Sequence, residues 1–161
     1  MAANVMQLVN DLVSQSRWDE AHSMLMKYAQ TSPNDPQIEY ELGVLCYNMG
    51  NYADAEMHLK TSLSIQFDHA DAHYQLGLTL LKESRPQEAM PEFREACERK
   101  QNFAVGHLHW GLALAQMGSL RGALGQFGQA LKLNPNMAAA YYQSGVASHQ
   151  LGQFIEAAQF F

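Results

Sequence analysis

The chain has 161 residues and 47% hydrophobic content, the balance of an ordinary water-soluble globular domain, and no apolar run approaches transmembrane length. Its formal charge of −6, from 10 Lys and Arg against 16 Asp and Glu, argues against a nucleic-acid partner, which needs a basic stripe to neutralise phosphates. Residues 1–15 hold no Lys or Arg and no continuous apolar core, so they do not read as a secretory leader. The two isolated cysteines, Cys46 and Cys97, suit buried thiols in a reducing compartment, and the expected localisation is cytoplasmic.

Ala21, Ala55, Ala89, Ala123 and Ala157 recur every 34 residues without a slip. Gly43, Gly77, Gly111 and Gly145 keep the same register, as do Leu25, Leu59, Phe93, Phe127 and Phe161. A fixed period of this length means one supersecondary unit copied in tandem and stacked on its neighbours. Copies fall at 2–35, 36–69, 70–103 and 104–137, with a fifth begun at 138–161, and together they make one domain. Each copy reads as two helices. In the second copy, residues 40–47 carry apolar residues at helical spacing, 48–51 break the pattern, and 52–63 resume it. Gly50 suits the left-handed stop of the first helix. Asn51 is expected to cap the second by accepting a backbone N–H. Gly43, Gly77, Gly111 and Gly145 sit inside first helices, with Val9 in the first copy; each glycine costs about 1 kcal/mol against alanine, and its expected return is close approach of the second helix with the small alanine opposite. In the third copy Pro91 lies inside the second helix and should bend or open it. In the fourth, Gly122, Gly125 and Gly128 share one helical stripe and together weaken the helix by roughly 3 kcal/mol. They read either as a soft outer helix or as a seam for another helix, and with Pro91 they would make one soft zone. Phe154, Phe160 and Phe161 fall in the last copy, where a stack needs a polar cap. The expectation is a fragment of a longer protein, or a homo-oligomer formed through this end.

The residues Leu76-Gly77, Ala89, Phe93 and Ala96 resemble the tetratricopeptide repeat. Leu42-Gly43, Ala55 and Leu59 repeat the pattern, as do Trp110-Gly111, Ala123, Phe127, Ala130 and Pro135. Ser144 departs from it before Gly145, and Pro86 stands where Trp18, Tyr52 and Phe154 place an aromatic. The resemblance covers the whole chain and implies an all-α, right-handed solenoid of antiparallel helix pairs, with the first helix of each pair lining a groove.

Little in the sequence points to chemistry. His73 and His107 align with Tyr141 and read as residues filling an aromatic slot. His69, Asp71 and His73 have ligand-like spacing, but the segment crosses a turn and lacks a fourth ligand, so no metal or other cofactor is expected. No phosphate loop, nucleophile elbow or recognisable Cys/His pair stands out, and the chain is expected not to be an enzyme.

By the family's geometry three columns face the groove. The first holds Met6, Tyr40, Tyr74, Leu108 and Tyr142. The second holds Asn10, Val44, Leu78, Leu112 and Val146. The third holds Val13, Tyr47, Leu81, Ala115 and His149. None is Asp, Glu, Lys or Arg, and the tyrosines suit an interface because each joins an apolar ring to a polar tip. A fourth column, Gln7, Glu41, Gln75, His109 and Gln143, is polar. Its glutamines could pair with a peptide backbone, much as the asparagine ladder does in O-linked N-acetylglucosamine transferases, or could simply be good helix formers. The cationic clamp with which such domains grip a carboxylate terminus is missing from these columns. The expected function is a non-catalytic scaffold that binds a peptide or helix of a partner protein in an uncharged groove. The alternatives are self-assembly through the ends, or the substrate-recruiting arm of a larger enzyme such as a glycosyltransferase.

Overall fold

The computed structural model describes residues 2–152, with side chains from Val5 onward. The expectations for Phe154, Phe160 and Phe161 lie outside the described residues. Within them the chain is all helix and holds no strand. The first helices of successive copies are α1 (Ala2–Ser14), α3 (Pro36–Asn48), α5 (Ala70–Lys82), α7 (Ala104–Gln116) and α9 (Ala138–Gln150). The second helices are α2 (Trp18–Thr31), α4 (Tyr52–Ile65), α6 (Pro86–Arg99) and α8 (Leu120–Leu133). The 34-residue register is kept at every helix boundary.

Turn chemistry sets those boundaries. The middle residue of each turn within a copy takes a left-handed backbone: Gly50 at φ +82°, Gly118 at +78°, and Ser16 and Ser84 at +59°. Glycine does this without strain, whereas serine must tolerate some. Asn51 does not cap α4 with its side chain. Its backbone closes the turn instead, its N–H donating to the Cys46 carbonyl at 2.9 Å and its own carbonyl accepting from the Ala55 N–H at 3.0 Å. The side-chain cap belongs to Asp35, which accepts from the N–H groups of Gln37 and Ile38 ahead of α3, with Pro36 at the first helical position.

The glycines inside α3, α5 and α7 are explained by what they face. A Cβ at Gly43 would sit 2.6 Å from Leu59 Cγ, one at Gly77 2.7 Å from Phe93 Cε1, and one at Gly111 2.4 Å from Phe127 Cε1. The expected partner, the alanine of the second helix, is not the main one. A large side chain one turn further on fills the gap, and Leu59, Phe93 and Phe127 are each fully buried by it. Leu59, Leu63, Ala72, Leu76 and Leu80 then join copy two to copy three in one core cluster.

Curvature follows from which helices touch. α3 meets α5, α5 meets α7, and α7 meets α9, while among the described residues no second helix meets another second helix. The closely spaced layer is the inside of the curve, so the first helices line the concave face. α6 runs through Pro91 without a break, and Phe93 and Ala96 beyond it stay fully buried, so the expected opening does not occur. α8 is likewise continuous across its three glycines. A Cβ at Gly125 or Gly128 would meet nothing within 4 Å, whereas one at Gly122 would lie 2.9 Å from Ser119 Oγ and 3.5 Å from Leu114 Cδ1.

Two glycine substitutions should therefore have opposite signs. Gly77→Ala forces a methyl into the Phe93 ring and should destabilise the fold by about 1–3 kcal/mol. Gly125→Ala enters open space and should stabilise by up to about 1 kcal/mol through helix propensity. Urea unfolding midpoints check both, and equal effects would refute the packing role assigned to Gly77.

Candidate binding groove

The inner face does not treat its columns alike. Tyr40 and Tyr74 are half-buried, Leu108 is 7% exposed, and Tyr142 is 57% exposed. The Tyr40 ring lies 4.7 Å from that of His69. Burial, with Asp71 and Glu41 nearby, pushes its hydroxyl up to about 12. The Tyr74 ring sits 5.0 Å from Phe103 and 5.5 Å from His109. Its Oη is 3.1 Å from His109 Nδ1, which also lies 3.0 Å from the Val105 carbonyl. A carbonyl only accepts, so Nδ1 carries the proton and both oxygens accept from it. Burial pushes the Tyr74 hydroxyl up to about 12 and holds His109 below its ordinary range. Tyr74 is thus a wedge between copies three and four. Met6 and Tyr47 are also half-buried, with the Tyr47 ring 5.6 Å from Tyr52. Leu78 and Leu81 pack on the central core cluster, and His149 is exposed.

The second and third columns line two depressions between first helices. One, between α1 and α3, has a volume of about 90 Å³, with Asn10, Val13, Glu41 and Val44 in its wall. The other, between α7 and α9, is about 240 Å³, walled by Leu112, Ala115, Gln143 and Val146. Glu41 is the one Asp, Glu, Lys or Arg lining either. Asn48 joins the first wall, and Gln116 and Gln150 the second. The sequence reading missed these three amides, although they share one register position, 34 residues apart or a multiple of it. The proposed glutamine ladder is not continuous. Gln7 donates to Asp11 on its own helix, and Glu41 accepts from Gln37 on its own. Gln75 is half-buried, and Gln143 remains at a depression.

His73 and His107 do more than fill an aromatic slot. Each reaches across to the second helix of its own copy at a separation of 19 residues: His73 Nδ1 to Glu92 at 2.7 Å, His107 Nδ1 to Gln126 at 2.9 Å. Glu39 and His58 make the same cross-link with the roles exchanged, at 2.8 Å. His73 Nε2 also lies 2.9 Å from the Phe67 carbonyl, so both its nitrogens face acceptors. Asp71 pairs with Lys100 and His73 with Glu92, so these two members of the His69, Asp71 and His73 spacing are directed to different partners. At the outer N-terminal end Leu8 is 45% exposed, although its counterparts Leu42 and Leu76 are 1% and 2% exposed.

No described helix is long and apolar enough to cross a membrane. Both cysteines are free thiols, Cys46 buried and Cys97 partly so.

Three family descriptions match the sequence: a tetratricopeptide repeat over residues 12–79, another over 70–103, and a TPR repeat over 111–152. The chain belongs to the tetratricopeptide repeat family. No curated protein sequence matches it. Among solved structures, the chain is similar to MamA 41-end from Desulfovibrio magneticus RS-1, at TM-score 0.93 and 22% identity over 99% of this chain and 90% of that one. It also resembles YrrB, described as a TPR protein with an unusual peptide-binding site, at 0.83 and 24% over 97% and 80%. The type IV pilus biogenesis factor PilW matches at 0.88 and 18% over 98% and 73%. At these identities the likeness is one of fold.

Protonation should separate the buried histidines. Burial disfavours charge on His73, but the Glu92 carboxylate and the Phe67 carbonyl outweigh it and hold the ring above its ordinary value of 6.5. The folded chain binds this proton more tightly than the unfolded one. The pair therefore contributes fully below that ordinary value, and its contribution is lost as pH rises through the raised one. His109 has the opposite sign. NMR titration of the ring protons should place His73 above 6.5 and His109 below it, and Glu92→Gln should bring His73 down. A His73 value at or below that of His109 contradicts this account.

Proposed function

We propose that the chain is a non-catalytic scaffold whose inner face holds an extended peptide of a partner protein. The observation that carries this reading is the make-up of the two depressions. Each combines an apolar patch, Val13 and Val44 in one and Leu112 and Val146 in the other, with side-chain amides. An apolar patch suits a peptide side chain. An amide both donates and accepts, as the unpaired backbone of an extended peptide requires. Tyr142 stands exposed in the column that adjoins the larger depression and is the tyrosine best placed to act as an anchor. YrrB, of the same fold, is described as having a peptide-binding site, which adds support from analogy of architecture alone.

Peptides selected from a random display library against the chain provide the test. Combining Gln143→Ala, Val146→Ala and Tyr142→Ala should weaken a selected peptide by roughly tenfold or more. Gln129→Ala, on the exposed outside of α8, should leave affinity unchanged. Raising salt should alter binding by less than about threefold, because the walls are nearly uncharged. Failure to select any peptide, or equal affinity for all variants, would sink the proposal.

A further inference from the structure

At one junction of the stack, ligating side chains replace the repeating pattern. His22 on α2, Cys46 on α3 and His58 on α4 each offer one ligand atom, and the three atoms lie within 4.8 Å of one another. They join copy one to copy two. At the next junction the aligned positions hold Glu56, Leu80 and Glu92, and at the one after that Met90, Leu114 and Gln126. There Glu56 is paired with Arg85, Glu92 with His73, and Leu80 is core. Only in the first of these three junctions do two imidazoles and a thiol converge.

We propose that His22, Cys46 and His58 bind one zinc-class transition-metal ion, with solvent as the fourth ligand. One thiolate and two imidazoles form a donor set suited to a borderline-soft divalent ion in tetrahedral geometry. Glu39 supplies what such a site needs beyond its ligands. Its Oε2 lies 2.8 Å from His58 Nδ1. It accepts a hydrogen bond from Nδ1–H, the tautomer in which Nε2 keeps its lone pair, and so fixes the ring. Ligand atoms around tetrahedral zinc stand about 3.3–3.6 Å apart, so closure needs side-chain rotations of roughly 1 Å.

Cys46 is 1% exposed. Its burial suits a thiol that stays uncharged until a metal takes its proton's place. Metal binding forms the metal–sulfur bond and releases that proton to solvent. The ion would tie α2 to the α3–α4 pair, and α3 is the helix that carries Tyr40, Val44 and Tyr47. A metal bound only by the folded chain adds to its stability by mass action.

The test uses the full chain, stripped with chelator in a reducing buffer and titrated with cobalt(II), then zinc(II). The expected result is one cobalt per chain, with sulfur-to-cobalt charge-transfer absorption and the visible bands of a tetrahedral site, displaced by zinc. Cys46→Ser should abolish the charge-transfer band, and Cys97→Ser should leave it intact. His22→Gln, at a half-buried position, should weaken cobalt binding at least tenfold with helical content unchanged, which keeps the test decisive if the Cys46 variant fails to fold. Glu39→Gln should weaken binding about 10–100-fold. Zinc should raise the melting temperature of the wild type but not that of His22→Gln. Absence of the charge-transfer band from the wild type, its loss in Cys97→Ser, or full affinity in His22→Gln would overturn the proposal.

Discussion

One contact, made in the second, third and fourth copies, sets the geometry of the stack. A glycine in the first helix leaves a gap, and Leu59, Phe93 or Phe127 from the second helix fills it completely. The glycine weakens its helix by about 1 kcal/mol. Full burial of a leucine or phenylalanine side chain contributes about 1.5–3 kcal/mol, so the exchange favours the packed pair. Because the gap admits one side chain at one height, it also fixes how far the two helices slide past each other. Each copy then presents the same faces to the next, and stacking identical wedges produces a regular curve. From α3 onward the first helices meet on its inside, and the second helices splay on its outside.

Much of this was legible in the sequence, because a 34-residue period repeats the same message. Every described helix boundary falls where the register of Ala21, Ala55, Ala89 and Ala123 puts it. Gly50 was readable as a left-handed stop because few residues take that backbone without strain. Asn51 was a miss of a different kind. Its residue type suits a cap, but its backbone already closes the turn, so the side chain is not needed. Of the two effects expected of Pro91, the opening is absent: α6 is continuous across it, with Phe93 and Ala96 buried beyond.

The inner face was legible in position and less so in role. The column of Val44 and Val146 lines depressions, whereas Tyr74 and Leu108, in the same register as exposed Tyr142, are drawn into the junctions between copies. Periodicity gives the direction of a side chain from its own helix. It does not give the depth to which a neighbouring copy covers it. The cross-links of Glu39 to His58, His73 to Glu92 and His107 to Gln126 were hidden for a related reason. Their common spacing of 19 residues becomes visible only when both helices of a copy are compared at once. The convergence of His22, Cys46 and His58 spans two copies and has no local spacing at all. Its sequence signal is the set of departures from apolar or carboxylate partners at aligned positions.

These features divide the molecule by layer. The outer helices and the junctions carry the polar cross-links and the cluster of ligating side chains, which bear on stability. The inner helices carry the nearly uncharged depressions, to which the proposed function assigns binding. The claim at the centre of this account is that a partner peptide engages the inner layer. Amide hydrogen exchange of the chain with and without a selected peptide tests it most directly. The account predicts slowed exchange in α1, α3, α7 and α9, with α4, α6 and α8 unchanged. Protection confined to the outer helices, or to the exposed N-terminal end around Leu8, would contradict it.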